Sequence, residues 1–434
     1  MIARSRVLGH ARGVARGAAV IAHRRRSRLV GRATGAAVIA RGVLVAGLLA
    51  SCAARDIVAS SGSGDEPAYC TGTGPPILVG DGITVGDGDG SPDEVCTGTV
   101  AVRTFQHALC TCEGYAASTP LVTDSFDGSI APYVPGAGGT AGDVGVDGAV
   151  SAAAMVSIGG ALAVAGTAGA GFLVDTQIAG DLDVNGPLGT NVAITAGGDA
   201  QIAGDVTLAS LAVTGTLTVP AAATLTGTIT AGATVRAPVT IAPPCACAPT
   251  DLVDIAAFVG NHRAPDANND AAIGLAAARL TDYTGDVTLD LPCGVYYVGP
   301  VHGDGSLTLR ITGRVALLVD GDVRLGAPLS IELATDAAEL DLMIAGLLSS
   351  NARITAGDPD HPSRTRIYIG GSGTIELSGD SLLAANIYAP QSAVAQSAPS
   401  TIFGSLFVRR IDQAAPLTIH YDEDVLRADV GCLL

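Results

Sequence analysis

The residues best suited to hold a metal ion are the carboxylates of an acidic, glycine-rich segment, residues 86–94. They are Asp87, Asp89, Asp93 and Glu94. Ca²⁺ favours clustered oxygen ligands of this kind. The segment lacks the D-x-D-x-D-G order and the closing Glu of an EF-hand loop, so a solvated acidic loop is the competing interpretation. Calcium is the only cofactor that the sequence suggests.

A second acidic segment, residues 266–270, has the order D-x-N-x-D. It lacks the Gly expected at the sixth place, which is Ala271, and the closing Glu, which is Ala277. Asx turns that lead into a helix are therefore the alternative to a calcium loop.

The histidines do not show the spacing of a known catalytic or metal-binding motif. Carbohydrate-cleaving β-helices use paired carboxylates, and residues 301–304 (VHGD) and 320–322 (DGD) contain suitable residue types. Gly-Asp pairs recur along the chain at expected turns, however, so turn formation is the simpler role. We expect residues 420–423 (HYDE) to form a terminal strand and cap. No catalytic residue is predicted, and the chain is not expected to be an enzyme.

Cys52 follows a basic stretch and a short apolar run, and Leu49-Ala50-Ser51-Cys52 matches the lipobox of bacterial lipoproteins. The resemblance implies cleavage before Cys52 and acylation of its sulfur and of the new N-terminus. Residues 1–51 are then a lipoprotein signal region and residues 52–68, rich in Ser and Gly, a flexible tether. Ala53, rather than Asp, follows Cys52, which by resemblance to other lipoproteins indicates the outer membrane.

The remaining cysteines fall into two groups of four: Cys70, Cys96, Cys110 and Cys112, then Cys245, Cys247, Cys293 and Cys432. An even number of cysteines in an exported protein predicts disulfides. Because a bridge within a Cys-x-Cys pair is strained, we expect each such pair to bond to the other two cysteines of its own group. Two four-thiolate zinc sites are the alternative, but the spacing does not fit paired C-x-x-C knuckles.

Residues 69–139 are therefore predicted to form a small disulfide-stapled N-terminal module. From residue 140 a pattern of apolar–x–Gly–x–apolar–x–apolar recurs, as in residues 158–164, 178–184 and 202–208. Alternation of this kind is the period of a β-strand, and a recurrence near 20 residues is typical of a β-solenoid. We predict a right-handed parallel β-helix, with repeats at 140–244 and a C-terminal β-helical domain at 245–434. An antiparallel β-sandwich is the alternative, but the chain has only 3% aromatic residues and few hairpin signals.

The repeat is interrupted at residues 250–282, where two short helices are predicted, at 252–259 and 271–280. Thr250 and Asp251 could cap the first of them. Since the open end of a solenoid invites edge-to-edge pairing, this helical insert is expected to cover or brace such an end.

The C-terminal region resembles an uncharacterised family of secreted bacterial β-helical proteins, which includes lipoproteins of myxobacteria and pilus-associated proteins. The similarity covers about residues 245–425 and is carried by residues 367–375, 386–390, 402–408 and 419–423. It implies a β-helical surface protein, and it brings no catalytic residues with it.

The formal charge is −17, and it becomes −27 when residues 1–51, with ten Arg and no acidic residue, are removed. So acidic a body repels phosphate backbones, which excludes nucleic acid as a partner. We expect an exported, lipid-anchored cell-envelope protein with a structural or adhesive role. Its partners would be the membrane, through the lipid, and envelope polysaccharide or a surface protein. The alternatives are a carbohydrate-active β-helix enzyme and a self-assembling solenoid that resembles bactofilins.

Overall fold

The computed structural model describes residues 103–427 except 351 and 378, together with residues 70, 79–80, 94–95 and 101. The signal region and the tether lie outside these residues. Parallel strands dominate the described part, and they form the parallel β-helix that the sequence predicts. Each coil has three walls, here named A, B and C. No helix in the described ranges is long and apolar enough to cross a membrane.

Wall A is a continuous ladder of parallel strands, numbered in chain order. It crosses from the C-terminal to the N-terminal part of the chain without a break. Its strands, in spatial order, are β18 (Val287–Leu291), β21 (Leu307–Ile311), β24 (Leu329–Leu333), β27 (Ile354–Ala356), β30 (Ser381–Ala384), β32 (Ser400–Phe403), β34 (Leu417–Asp422), β5 (Leu121–Phe126), β8 (Val156–Ile158), β11 (Thr176–Ile178), β14 (Ala193–Ala196) and the middle parts of β16 (Val206–Val219) and β17 (Leu225–Arg236).

Wall B runs beside wall A in the same direction. It too continues through the N-terminal repeats. Its strands are β19 (Gly294–Val298), β22 (Arg314–Val319), β25 (Glu339–Ile344), β28 (Thr365–Ile369), the first halves of β31 (Asn386–Gln396) and β33 (Leu406–Gln413), β3 (Leu109–Thr111), β6 (Val144–Val146), β9 (Leu162–Val164), β12 (Leu182–Val184), β15 (Ala200–Ile202) and the last parts of β16 and β17.

Wall C closes the coil, and its first three strands form a separate sheet. The rest is continuous with walls A and B. Its strands are β20 (Val301–Gly303), β23 (Val323–Leu325), β26 (Leu348–Ser350), β29 (Thr374–Leu377), the second halves of β31 and β33, β4 (Tyr115–Ala117), β7 (Val150–Ala152), β10 (Ala170–Phe172), β13 (Leu188–Gly189) and the first parts of β16 and β17.

Four short elements lie outside the walls, together with one antiparallel strand pair. The pair joins β1 (Val79–Gly80) to β2 (Glu94–Val95). The helical elements are α1 (Ile255–Asn261), α2 (Asp270–Ile273) and two 3₁₀ turns, Pro362–Arg364 and Glu423–Arg427.

The order of the coils in space differs from their order in the sequence. The rod begins at residue 287 and continues to β34, and the next strands along it are β3 and β4, near the start of the described chain. One coil is therefore composite, because β34 supplies its wall A while β3 and β4 supply walls B and C. The rod then continues to β17, and residues 237–286 return to its beginning. With thirteen strands in wall A at about 4.8 Å per step, the rod is about 60 Å long.

The interior is a stack of matching apolar side chains. One column in wall B is in register across both parts of the chain. Its members, all buried, are Tyr296, Leu317, Leu342, Ile367, Ile387, Leu406, Leu109, Val144, Leu162 and Leu182. Because each of these side chains covers the one before it, the thin core needs little aromatic bulk.

This continuity changes the domain organisation that the sequence predicts. Strands β3, β4 and β5 lie within the predicted N-terminal module, yet they are hydrogen-bonded into the large sheet on both sides. The boundary predicted at 139/140 therefore does not separate two sheets. The repeats at 140–244 and the C-terminal domain at 245–434 are likewise parts of one rod.

The predicted disulfide pairing within each group is wrong, although the disulfides themselves are present. The three described bonds all join one group to the other. They are Cys70–Cys293, Cys110–Cys245 and Cys112–Cys247, with Cα–Cα distances of 5.6, 5.9 and 5.5 Å. The physical reason is the composite coil, which brings β3 beside the returning segment. Cys96 and Cys432 lie outside the described residues.

The helical insert is shorter than predicted. Helix α1 begins after Asp254, whose side chain accepts a hydrogen bond from the Ala257 N–H at 2.9 Å, so Thr250 and Asp251 do not cap it. Helix α2 ends at Gly274 in the left-handed conformation, with φ of 66°. The predicted helix 271–280 therefore stops early, because Gly274 turns the chain.

The recurrent Gly-Asp pairs have a defined role between coils. The carboxylate of Asp199 accepts a hydrogen bond from the Thr216 N–H of the next coil at 2.7 Å. The same bond recurs elsewhere: the carboxylate of Asp181 accepts from the Asp199 N–H at 2.7 Å, and that of Asp322 accepts from the Leu347 N–H at 2.9 Å. Each such Asp ties a corner of one coil to the next.

We predict that Asp199→Ala lowers the free energy of unfolding by about 1 kcal/mol, because the Thr216 N–H loses its acceptor. Asp199→Asn keeps an acceptor oxygen and should stay close to the wild type. Urea unfolding followed by circular dichroism measures both variants. Equal losses for Ala and Asn would contradict the role of the hydrogen bond.

Candidate functional site

A polar concave surface, a groove of about 730 Å³, lies on wall C. Its floor is an outward column of side chains on β20, β23 and β26, where His302, Arg324 and Ser349 are in register. Asp282 flanks His302, with 3.7 Å between the Asp282 Oδ1 and His302 Nδ1 atoms. Asp304 also lines the groove. The structure thus brings the predicted segment 301–304 to a surface that can contact a polar ligand.

The carboxylate of Asp322, beside this groove, is held as an ion. It accepts hydrogen bonds from the Leu347 N–H and from the Arg324 guanidinium, at 2.6 and 3.0 Å from Nη2 and Nε. The backbone hydrogen bond, followed by the charge of Arg324, lowers the pKa of Asp322. A glycosidase needs one carboxyl group that stays protonated as an acid. The lowered pKa of Asp322 keeps this carboxyl group ionised instead.

The neighbouring Asp320 is also occupied. It accepts hydrogen bonds from Arg263 and from the Tyr297 hydroxyl, so it fixes the segment after α1 to the rod. The predicted DGD segment therefore carries two carboxylates with structural partners, which favours the turn and bracing role over a catalytic one.

The second acidic segment, 266–270, covers the first coil. Asn269 Oδ1 accepts a hydrogen bond from the Val295 N–H at 2.8 Å, and Asp270 Oδ1 accepts one from the Tyr297 N–H at 2.9 Å. Asn268 donates to the carbonyls of His262 and Ala264, both at 3.0 Å. These oxygens serve strand N–H groups and a turn, so they do not converge as a calcium loop does. Asp87, Asp89 and Asp93 lie outside the described residues, and Glu94 is described only as part of β2.

A second cavity, of about 470 Å³, lies where the returning chain crosses the composite coil. Asp147 lines it, and burial raises the pKa of Asp147 to about 6 although the Cys245 N–H donates to its Oδ1. The His107 Nε2–H donates to the Pro244 carbonyl at 3.0 Å, and burial lowers the pKa of His107.

One trio in the described part of the chain has the types and spacing of a metal site: Asp147, Cys245 and Cys247, with ligand atoms within 4.8 Å of one another. Both sulfurs are bonded in disulfides to Cys110 and Cys112. A disulfide sulfur is not a thiolate, and the thiolate is the metal ligand. The trio therefore belongs to a covalent strap, formed by these two disulfides, that fixes residues 245–247 to β3.

The outer face of wall B lies under this returning chain. An apolar column in register includes Leu318, Met343, Tyr368, Tyr388 and Phe407, and leads to Cys110. Helix α1 covers it, and the Tyr388 hydroxyl accepts a hydrogen bond from the Val253 N–H at 3.1 Å. Sequence reasoning missed this cover, although the doubly apolar strands at 315–319 and 340–344 are typical of strands buried on both faces.

Beside the apolar column lies a buried ion pair. Arg366, 2% exposed, donates to both oxygens of Asp341, 0% exposed, at 2.7 and 3.0 Å. It also donates to Glu339 at 3.1 Å and to the Ser363 carbonyl at 2.5 Å. All of its contacts are internal, so the pair organises the wall rather than binding a ligand.

The predicted terminal strand, residues 420–423, lies at the junction of the two chain parts. His420 Nδ1 is 2.6 Å from Asp124 Oδ1, and the Tyr133 hydroxyl donates to Asp124 Oδ2 at 2.8 Å. Asp422 is fully buried and accepts hydrogen bonds from the N–H groups of Gly128 and Ser363, at 2.8 and 3.2 Å. These groups fasten β34 to β5 and to the loop that follows it.

The two ends of the rod differ. At the β19 end, the first coil is covered by residues 269–283, since Gly299 and His302 donate to the carbonyls of Ala277 and Leu280 at 2.8 and 3.0 Å. At the other end, β17 pairs with β16 on one side, and in the described part of the chain no strand pairs with its other side. Its residues are exposed or only half-buried.

Comparison with known proteins gives one family. Residues 255–427 match the model of a domain of unknown function, DUF7305, which is less than half of the chain. The residues that carry the family resemblance above lie inside this range. No curated protein and no solved structure matches the chain. The chain is therefore similar, from α1 to the last 3₁₀ turn, to the DUF7305 domain.

We predict that acidification stabilises the rod between pH 7 and about pH 5. Burial is the largest cause that raises the pKa of Asp147 and of Asp183 to about 6, and Asp181 and Asp199 add to it for Asp183. An unfolded Asp has a pKa of about 3.9. The folded state therefore binds more protons between these values, so stability rises as the pH falls through 6. The melting temperature measured at pH 5.0 to 7.5 tests this.

The matched pair Asp183→Asn and Asp266→Asn isolates the cause. Each variant removes one negative charge, but Asp266 is exposed on the insert. Asp183→Asn should raise the melting temperature at pH 7.5 and reduce its dependence on pH more than Asp266→Asn does. An equal response of the two variants would assign the effect to net charge instead.

We also predict that Arg366→Met lowers the free energy of unfolding by about 3–5 kcal/mol, since it leaves Asp341 buried without its partner. The double variant Arg366→Met/Asp341→Leu should recover most of that loss. Chemical unfolding of the three proteins measures it, and a double variant no more stable than the single one would contradict the account.

Proposed function

We propose that the protein is an exported, lipid-anchored rod of the cell envelope with a structural or adhesive role, and that the lipid on Cys52 is its anchor. The observation that carries the proposal is the bond between Cys70 and Cys293. It fixes the chain, eighteen residues after Cys52, to the covered end of the rod. Cys70, on the anchor side of the chain, and the open β17 end then lie at opposite ends of a body about 60 Å long.

Three further features support an exported scaffold. The three disulfides fit an oxidising compartment. The strap at Cys110 and Cys112 locks the returning chain to the rod. The bond between Cys70 and Cys293 ties an N-terminal residue to the first coil. Both make the rod resistant to unfolding. The carboxylates of the Gly-Asp pairs are engaged in hydrogen bonds between coils, so they serve architecture.

The groove on wall C supports a second candidate, the recognition of envelope polysaccharide. Arg324, His302 and Asp282 present donors and acceptors on one open surface, as sugar hydroxyl groups require. A carbohydrate-active enzyme would need a protonated carboxyl group beside an ionised one in this groove. The pairing of Asp322 with Arg324 favours binding without cleavage.

We predict that Cys52→Ala abolishes incorporation of labelled fatty acid into the protein. The variant should also be removed from membranes by washing with high salt, whereas the wild type should stay bound. The physical reason is that several acyl chains hold a protein on a bilayer at about 0.8 kcal/mol per buried CH₂. Metabolic labelling and membrane fractionation measure both effects.

Cys293→Ala is the matched control, because it removes a cysteine and a disulfide but leaves the lipobox intact. It should keep the label and stay in the membrane fraction. A wild-type protein without acyl chains, or with a mature N-terminus other than Cys52, would refute the proposed anchor.

A further inference from the structure

We propose that the open β17 end is a homophilic docking edge, at which two copies of this chain pair head to head into a closed dimer. The feature behind the proposal is the edge itself, twelve residues long from Leu225 to Arg236. It contributes to all three walls, so it presents the whole outline of a coil.

The backbone of this edge has free hydrogen-bonding groups directed along the rod axis. The Val206 N–H donates to the Thr224 carbonyl at 2.8 Å, and Leu225 lies opposite Val206. In a parallel ladder, a residue bonds to the two neighbours of its partner, so the N–H and C=O of Leu225 point away from β16. The register shifts between Thr207 and Ser210, after which Ile229 and Ala231 lie opposite the buried Leu211 and Val213. As members of the inward columns they, like Leu225, point their backbone groups outward. Such a row is a template for another strand.

The core is open at the same place. Leu225, Ile229 and Ala231 continue the inward columns of the rod, but they are only partly buried, because no coil of the described residues covers them. A second coil placed on this end would cover the apolar cross-section as well as the backbone groups, which a single added strand would not do.

Charge and shape identify the second copy as the partner. Residues 225–236 contain no acidic residue, in a body whose charge is −27 without the signal region. Two acidic rods can therefore approach at this end with the least repulsion. The three-sided outline of a coil is matched by another coil of the same kind, and the second copy provides it.

The covered end opposes growth beyond two. Its outward N–H groups on β19, and those of Gly299 and His302, are already bonded by the side chains of Asn269 and Asp270 and by the Ala277 and Leu280 carbonyls. Head-to-tail stacking, which would give a filament, therefore meets an already bonded surface on two of the three walls, and among the described residues only β18 keeps an unpaired side. A two-fold axis across the rod brings two β17 edges together with antiparallel strands, and this contact closes on itself. The self-assembling solenoid expected from the sequence would therefore form a dimer rather than a fibre.

The dimer also has a consequence that rests on the proposed function. The two Cys293 ends would lie about 120 Å apart and point in opposite directions. Lipid anchors attached through Cys70 would then belong to two facing membranes rather than to one.

The test uses the full-length chain and its Cys52→Ser variant, both with disulfides intact, over a concentration series. Light scattering that reports protein mass should approach twice the monomer mass of the purified protein for both. Ala231→Pro removes an outward N–H that β16 does not use, and Ile229→Lys places a charge in the open core. Each should weaken dimerisation at least tenfold.

Ala212→Lys is the matched control, since Ala212 is exposed on the adjacent coil, opposite Thr230, and faces the side of the rod. It should dimerise as the wild type does, and circular dichroism should show all variants folded. A monomer at every concentration, growth beyond a dimer, or a dimer unchanged by folded Ala231→Pro and Ile229→Lys would each overturn the proposal.

The consequence for membranes is tested apart. Vesicles carrying the lipidated chain should cluster, and those carrying Ile229→Lys should not. If Cys52 proves unacylated, the dimer in solution still stands or falls by its own measurement. Clustering that persists with Ile229→Lys would overturn the head-to-head arrangement.

Discussion

The whole structure depends on the backbone pairing of β33 and β34, the last strands of the described residues, with β3, β4 and β5. Strand β34 pairs with β5 over six residues, from Leu417↔Leu121 to Asp422↔Phe126. On the other walls, β33 pairs with β3 and β4. Without these bonds the rod would divide into two stacks, each with one more open edge. The buried side chains at this level make the pairing specific: Gln413 donates to the Pro120 carbonyl at 2.8 Å, and the Tyr421 hydroxyl donates to that of Phe105 at 2.8 Å.

A coil made of two distant segments carries a large cost in chain entropy, since about 290 residues separate the partners. The structure offsets it with covalent bonds. Two disulfides, each with a sequence separation of 135, fix the returning segment to β3, and a third of separation 223 fixes Cys70 at the covered end. Links that close long loops remove the most freedom from the unfolded chain in the entropic account. The strap therefore stabilises the composite coil by restricting the unfolded chain. The same returning segment buries the apolar face of wall B.

The local features of the fold could be predicted from the sequence, and the long-range ones could not. Alternation around Gly identified the strands at 162–164, 182–184 and 206–208 and their parallel stacking, because a period of two residues is a local property. The sequence also predicted that the Gly-Asp pairs lie at turns. Asp199 and Asp322 lie at such corners, which they tie to the next coil. The cysteine partners were mistaken because nothing near Cys110 indicates that β3 lies beside Cys245. Pairing between segments about 300 residues apart leaves no periodic signal in the sequence. The wall C groove could not be predicted either, because it combines strands from three successive coils.

The asymmetry of the ends gives the rod a direction. At one end, the insert accepts hydrogen bonds from the outward N–H groups of β19, and Cys293 of the first coil carries the disulfide to Cys70. At the other, β17 keeps an unpaired edge, although a solenoid normally blunts such an edge with charge or a covering segment. In this chain the covering segment, residues 269–283, lies on the opposite end. Residues 225–236 have no carboxylate that would repel a second strand. An edge of this length that has no carboxylate and continues the core columns is costly to leave in water, because its outward backbone groups and part of its apolar side chains stay exposed. Selection against aggregation would remove it unless pairing at this edge were part of what the protein does.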